Sequence, residues 1–160
     1  MTDKEFFART VTDESPKFAR IFAALPEEKL DHRPHPKSRS AQELSGVMAL
    51  EIETMSHILK KKAVDMKTDS APTTTVDAAR ISAEALKVLA ESTPHLSEAE
   101  WKEEVKMTMD GDNEWKAPRG SMLWGFLFDL IHHRGQLSTY IRPMGGKVPS
   151  IYGPSADDMG

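Results

Sequence analysis

The stretch SMLWGFLFDLIHHRGQLSTYIRPMGG, residues 121–146, decides the fold class. Apolar residues recur in it at intervals of three and four, which is the period of an amphipathic α-helix. One stripe along this helix consists of Leu123, Phe126, Leu127, Leu130, Leu137 and Ile141. Pro143 and the pair Gly145–Gly146 end the pattern, so we predict a helix from about Ser121 to about Arg142.

Two further helices precede it, and each begins at a capping box, in which a Ser or Thr and a Glu three residues later satisfy free helix amides. The first begins at Thr2, and its apolar residues continue to Leu25. We expect Pro16 to kink or split it, because proline lacks an amide hydrogen. The second begins at Ser40 and ends near the lysine run 60–62, which is typical of a solvated helix end.

A third helix is predicted from about Val76 to Glu91. Residues 105–109 then alternate apolar and polar side chains and lead into the turn DGDNE at 110–114, which is typical of a small β-hairpin. The length of 160 residues suits one domain. We therefore expect a single all-α domain over residues 1–160, a four-helix bundle with a small hairpin before the last helix.

The composition excludes several classes of protein. The chain has no cysteine, which excludes a disulfide scaffold, a cysteine-ligated metal site and a cysteine nucleophile. Its 21 Lys and Arg residues against 25 Asp and Glu residues give a net charge of −4, which argues against a nucleic-acid or anionic-membrane partner. With no signal-peptide pattern and no apolar stretch long enough to span a bilayer, we expect a cytoplasmic protein.

Four polar residues lie where the helical pattern places the core or its edge. Glu51 falls within the apolar stripe of the second helix and Arg134 within that of the last helix. Because buried charges are generally paired or metal-bound, we expect Glu51 and Arg134 to form a buried pair, with a ligand role for Glu51 as the alternative. Asp129 and His133 stand one helical turn apart, either as metal ligands or as an ordinary Asp–His hydrogen bond.

Several motifs together carry a family resemblance. They are FDLIHHRGQLSTYIRPMGGKVP at 128–149, PEEKLDHRPHP at 26–36, SAQEL at 40–44 and IYGPSAD at 151–157. In this combination the chain resembles the DinB (DinB/YfiT-like) family over nearly its whole length. The resemblance implies an up-down-down-up four-helix bundle that is often dimeric, so we expect a homodimer.

The resemblance also implies a metal site, from which this sequence departs. Family members with an intact site bind a divalent metal such as zinc or nickel through three histidines, one on the second helix and two in an HxxxH stretch on the last. Here Val47 occupies the first position and Asp129 the second, so that only His133 remains. A replacement site of Asp129, His133 and Glu51 would suit a harder divalent ion, with zinc, nickel and manganese as candidates. We favour a metal-free arrangement instead, in which Asp129 binds His133 and Glu51 binds Arg134.

Two functions remain open on the sequence alone. We favour a DinB-like bundle with a degenerate metal site that is non-catalytic or binds a small molecule. The alternative, which the resemblance implies because the wider superfamily includes thiol transferases, is a divalent-metal-dependent thiol transferase, in which an external low-molecular-weight thiol attacks a small electrophile. The absence of cysteine is compatible with this enzyme, because its nucleophile would come from outside the chain.

Overall fold

Helices account for most of the computed structural model, which describes residues 1–160 and includes a small three-stranded sheet. The elements follow in the order α1 (Asp3–Ala23), α2 (Ala41–Lys60), β1 (Ala63–Met66), α3 (Thr75–Ser92), α4 (Glu98–Lys102), β2 (Glu104–Met109), β3 (Asp112–Pro118) and α5 (Arg119–Ile141). Four of the helices are long, and α4 has only five residues. The all-α class was therefore too narrow a prediction, because β1 adds a third strand to the hairpin.

The helix starts follow the sequence closely. Thr2 and Ser40 form the predicted capping boxes, with the Ser40 hydroxyl accepting from the Glu43 amide at 3.1 Å. Such a cap stabilises a helix by about 1 kcal/mol. The expected split at Pro16 does not occur, because α1 continues through it from Asp3 to Ala23.

The sheet has the strand order β1-β2-β3, with β1 parallel to β2 and β2 antiparallel to β3. The predicted hairpin is confirmed, and its turn has positive φ at Asp110 (52°) and Gly111 (82°). A turn of this kind favours Asp-Gly, because glycine adopts positive φ at no steric cost. The Asp110 carboxylate accepts hydrogen bonds from the backbone amide of Thr68 at 2.9 Å and from its hydroxyl at 2.6 Å, which ties the loop after β1 to the hairpin.

The four long helices enclose one core. Helix α2 contacts α3 and α5, and α1 contacts the same two helices. Thirty buried apolar residues form a single cluster, including the predicted inward residues Leu44, Met48, Ile52, Met55, Leu123, Leu127 and Leu130. The α2–α5 contact is the one that positions the site described next. None of the helices combines the length and apolarity needed to cross a bilayer.

Candidate metal centre

Three chemically versatile side chains meet where α2 packs on α5. Glu51 comes from α2, whereas Asp129 and His133 lie one turn apart on α5. His133 Nε2 is 3.6 Å from Glu51 Oε1 and 3.6 Å from Asp129 Oδ2. One ligand atom from each residue lies within 4.8 Å of the other two, so the three residues selected from the sequence are brought together.

The cluster is closed on one side and open on the other. Glu51 is only 6% exposed, and its Oε2 atom is buried without a hydrogen-bond partner. An unsatisfied buried acceptor costs on the order of 1–3 kcal/mol, and more when it is charged. The side chain of Asp129 is 55% exposed. A ligand or ion would therefore meet Glu51 at the base of the site and solvent at Asp129.

Gln136 orients the imidazole of His133. Its Oε1 lies 2.9 Å from His133 Nδ1, so we assign the proton to Nδ1, which donates to Gln136. Nε2 is then directed at the two carboxylates, in the arrangement that metal-binding histidines usually have. Sequence reasoning gave Gln136 no role, although its spacing of three residues from His133 is the signal that could have identified it.

Both buried members of the cluster have shifted acidities. Contact with the Glu51 carboxylate raises the pKa of His133 to about 9, against the effect of burial and with further support from Gln136 and Asp129. Burial raises the pKa of Glu51, an effect that His133 opposes. At neutral pH without metal, His133 thus carries a proton between two carboxyl groups, which shows that this point in the protein favours a cation.

Arg134 does not pair with Glu51, so that prediction was wrong. Its Nη1 donates to Glu14 Oε2 on α1 at 2.5 Å, and its Nη2 donates to the Tyr152 hydroxyl at 2.5 Å. The reason is helical geometry: Arg134 follows His133 by one residue, which turns it about 100° away from α2. Glu14 was missed, although it falls within the apolar stripe of α1, three residues after Val11.

The metal-free arrangement predicted from the sequence needs two pairs, and neither has the expected geometry. Glu51 has no arginine partner, because Arg134 is bound to Glu14. Asp129 lies 3.6 Å from His133, which is longer than the roughly 2.7–3.2 Å of a direct hydrogen bond. Within the cluster, Oε2 of Glu51 is therefore left without a partner.

A cavity of about 460 Å³ lies beside Glu51, between the N-terminal half of α2 and the loop after β1. This volume is in the range of small-molecule sites. Val47, one turn before Glu51, also lines the cavity, so the position at which the resemblance implies a histidine borders the same space. A second depression, of about 510 Å³, lies on the His133 side, and Arg39 borders both.

Comparison with known proteins gives a consistent result. Residues 1–160 match the family model described as DinB family. A DinB-like protein from Bacillus cereus is 18% identical, with a TM-score of 0.71 over 91% of this chain and 95% of that chain. A DinB-like protein from Bacillus subtilis is 16% identical, with a TM-score of 0.65 over 87% of this chain and 91% of that chain. No curated protein sequence matches the chain.

Proposed function

Because the chain belongs to the DinB family, we propose that it is a divalent-metal-binding protein whose centre consists of Glu51, Asp129 and His133. The observation that carries the proposal is the buried Glu51 carboxylate, whose Oε1 lies 3.6 Å from His133 in a cluster with Asp129 and whose Oε2 has no partner. This departs from our preference for a metal-free bundle, which required Arg134 to neutralise Glu51. Since Arg134 is bound to Glu14, the positive charge that faces the two carboxylates is the proton on His133, and a divalent ion would displace that proton.

The donor set fits a divalent ion. Two carboxylates and one imidazole suit manganese, zinc or nickel. Bonds of about 2.0–2.2 Å to one ion place neighbouring donor atoms roughly 3.0–3.5 Å apart, and both His133–carboxylate separations are 3.6 Å. Three protein ligands leave coordination positions open, which is the pattern of catalytic rather than structural metal sites. When bound, such an ion lowers the pKa of a coordinated water or thiol.

The chain's own residues divide the remaining work. Gln136 holds the proton on Nδ1 of His133 and so keeps Nε2 available for a cation. Glu51 lies on the buried face of α2, whereas the side chain of Asp129 is exposed to solvent. The site is therefore rigid at its base and accessible at its rim.

Metal analysis tests the proposal directly. The full chain is incubated with Mn²⁺, Zn²⁺ or Ni²⁺ and desalted, and its metal content per chain is measured by elemental mass spectrometry. We expect one ion per chain, and a loss of affinity of at least about 10-fold in Glu51→Gln and His133→Gln. The matched control is His132→Gln, which alters the exposed neighbouring histidine. Wild-type protein that stays free of metal in excess ion, or equal loss in His132→Gln, contradicts the proposal.

A second candidate function is metal-dependent transfer of an external thiol to a small electrophile. The observation that favours it is the cavity beside Glu51, whose volume suits a small molecule. Its test is consumption of a low-molecular-weight thiol with a model alkyl chloride, in which sulfur replaces chloride and one proton is released. We expect a metal-dependent rate that is lost in His133→Gln; an equal rate in that variant would exclude this enzyme.

We also propose that the four long helices form an up-down-down-up four-helix bundle and that the chain is a homodimer. Structural similarity to the DinB-like protein of Bacillus cereus supports the first statement. An exposed aromatic patch supports the second: Phe6, Trp124 and Phe128 lie side by side on α1 and α5, with neighbouring rings 5.6 Å apart. Phe128 is 63% exposed, and an apolar patch of this kind is typical of an interaction surface.

A further inference from the structure

The cavity beside Glu51 has a firmly held outer wall. A side chain at Gly46 would place its Cβ 2.6 Å from the carbonyl oxygen of Pro72, so glycine is what allows the loop after β1 to pack directly on α2. The same loop is held from its other end by Thr68, whose amide and hydroxyl donate to Asp110. The cavity is therefore formed before any ligand arrives, which lowers the entropic cost of binding.

The interior of this cavity is largely apolar. Val47 and Leu50 of α2 face Met66 of β1 and Met109 of β2 across it. Leu50 and Met66 are each only 5% exposed, so these two walls are almost completely buried, although neither residue belongs to the main apolar cluster. Such a lining favours a ligand with an apolar body, since burial of each CH₂ group contributes about 0.8 kcal/mol.

The polar rim offers donors that nothing in the chain uses. Arg39 lines the cavity, and its side chain makes no hydrogen bond or ion pair, although its charge acts at longer range on Glu43 and Glu51. Glu43 is bound instead by Arg33, at 2.7 and 2.8 Å. Gln42 also lines the cavity, and its Nε2 is buried without an acceptor. One guanidinium and one amide can serve the two oxygens of a carboxylate.

The first turn of α2 offers no backbone donors. The amide of Ala41 donates to His32 O at 3.0 Å, and the amide of Gln42 donates to Leu30 O at 2.9 Å. The amide of Glu43 is satisfied by its capping hydroxyl. Helix N-termini bind phosphate through free amides, so this rim suits a carboxylate better than a phosphate.

We infer that this cavity binds a small organic carboxylate with an apolar body, its carboxylate on Arg39 and Gln42 and its body against Val47, Leu50 and Met66. The inference rests on the proposed function for its location, because Glu51 belongs both to the cavity and to the metal centre. It adds the chemical class of the ligand.

Calorimetric titration of the full chain tests it, with 4-phenylbutyrate as the probe and 4-phenylbutanamide as the neutral match. We expect the carboxylate to bind at least about 10-fold more tightly than the amide, the effect of one charge-assisted hydrogen bond. Arg39→Gln should remove this preference, and Arg9→Gln, an exposed arginine on α1, should not. Val47→Phe should weaken both probes by filling the cavity.

Equal binding of acid and amide, an unchanged preference in Arg39→Gln, or displacement of the probe by inorganic phosphate at similar concentration would overturn the inference. Titrations with EDTA and in Asp129→Asn separate it from the metal proposal, because Asp129 does not line the cavity. A carboxylate preference in a chain that binds no metal would support the inference and refute only the metal centre. Metal binding without a carboxylate preference would support the metal centre and refute the inference.

Discussion

Glu14 and Arg134 form an ion pair that is almost closed to solvent, with exposed fractions of 5% and 2%. The Tyr152 hydroxyl donates to the same Glu14 oxygen at 2.9 Å, and Lys17 Nζ lies 2.6 Å from the other. Every charge in this group thus has a partner of opposite sign or a hydrogen bond. Such a pair adds little net stability over an apolar pair, but removal of one member leaves the other charge uncompensated.

Glu14→Ala should therefore destabilise the protein by about 3–5 kcal/mol, because Arg134 stays buried without its carboxylate. Urea unfolding followed by circular dichroism measures this. The matched control is Asp13→Ala, which breaks an exposed pair with Arg9 (N···O 3.9 Å) and should change stability by less than about 0.5 kcal/mol. Similar losses in the two variants would show that the buried pair is not important for stability.

The same pair predicts how stability depends on pH. Burial raises the pKa of Glu14, but hydrogen bonds from Lys17, Arg134 and Tyr152 outweigh it, so that its pKa lies below the ordinary value of 4.5. Because the pKa of Glu14 is lower in the folded state, its carboxylate stabilises the protein fully at pH values above the unfolded-state pKa. This stabilisation is lost as the pH falls through the folded-state pKa. The stability difference between wild type and Glu14→Gln should therefore narrow below about pH 4.5. A difference that stays constant down to pH 3 in urea titrations would contradict this.

His133 supplies a second pH dependence, of opposite sign. In the metal-free protein its pKa of about 9 reflects the facing Glu51, so Glu51→Gln should bring it down towards the ordinary 6.5. Because the pKa of His133 is raised in the folded state, its protonated ring stabilises the protein fully at pH values below the pKa of an unfolded-state histidine. This stabilisation is lost as the pH rises through about 9. NMR titration of the histidine ring protons measures the pKa of His133 in the wild type and in Glu51→Gln, with His132→Gln as the control. An unchanged midpoint in Glu51→Gln would refute the contact.

At the scale of the helix, two glycines of α5 make opposite predictions. A side chain at Gly120 would overlap the indole of Trp101, which is held by a hydrogen bond to Asp3 at 2.8 Å and by the ring of Phe7. Gly120→Ala should thus destabilise the protein by about 1–3 kcal/mol, despite the better helix propensity of alanine. Gly135 is exposed with nothing near, so Gly135→Ala should stabilise by about 0.5–1 kcal/mol.

Thermal unfolding of Gly120→Ala and Gly135→Ala, measured beside the wild type, checks both predictions. The outcome that contradicts the argument is a rise in melting temperature for both, which would mean that Trp101 moves aside at little cost. Measurement of both glycines in one helix removes propensity as an explanation, because the substitution is the same.

The sequence predicted the elements whose signals are local. Capping boxes fixed the starts of α1 and α2, and the Asp110-Gly111 turn fixed the hairpin. Strand β1 was missed because its four residues follow a lysine run and pair in parallel with residues 106–109, more than forty positions later. The alternation that buries Val64 and Met66 was present, but four residues are too few to distinguish a strand from a loop.

The candidate site shows the same division between local and distant information. Counting 100° per residue placed Glu51, Asp129 and His133 correctly on the facing sides of α2 and α5. The same helical period predicted that Arg134 is buried, but it does not predict which helix Arg134 contacts. That choice depends on how four helices pack, and here α1 rather than α2 supplies the carboxylate, from Glu14.

At the scale of the whole molecule, the aromatic patch of Phe6, Trp124 and Phe128 predicts the oligomeric state. Phe128→Glu should convert the proposed homodimer to a monomer without a change in helix content, because its side chain is mostly exposed. Sedimentation velocity measures the mass. Val76→Glu alters another exposed apolar side chain, on α3, and should leave the dimer intact. A wild-type monomer, or a dimer that survives Phe128→Glu, would contradict the assignment.

The contacts of α1 also have a consequence for protein synthesis. Asp3 is bound by the indoles of Trp101 and Trp124, and Glu14 by Arg134 and Tyr152, at separations of 98 to 138 residues along the chain. At about 5–20 residues per second, a ribosome supplies these partners roughly 5–30 s after α1. Until then, the only partner that Glu14 has is Lys17 of the same helix. A nascent chain halted between Ile141 and Tyr152 would therefore have its four long helices but not the hydroxyl that completes the buried charge group.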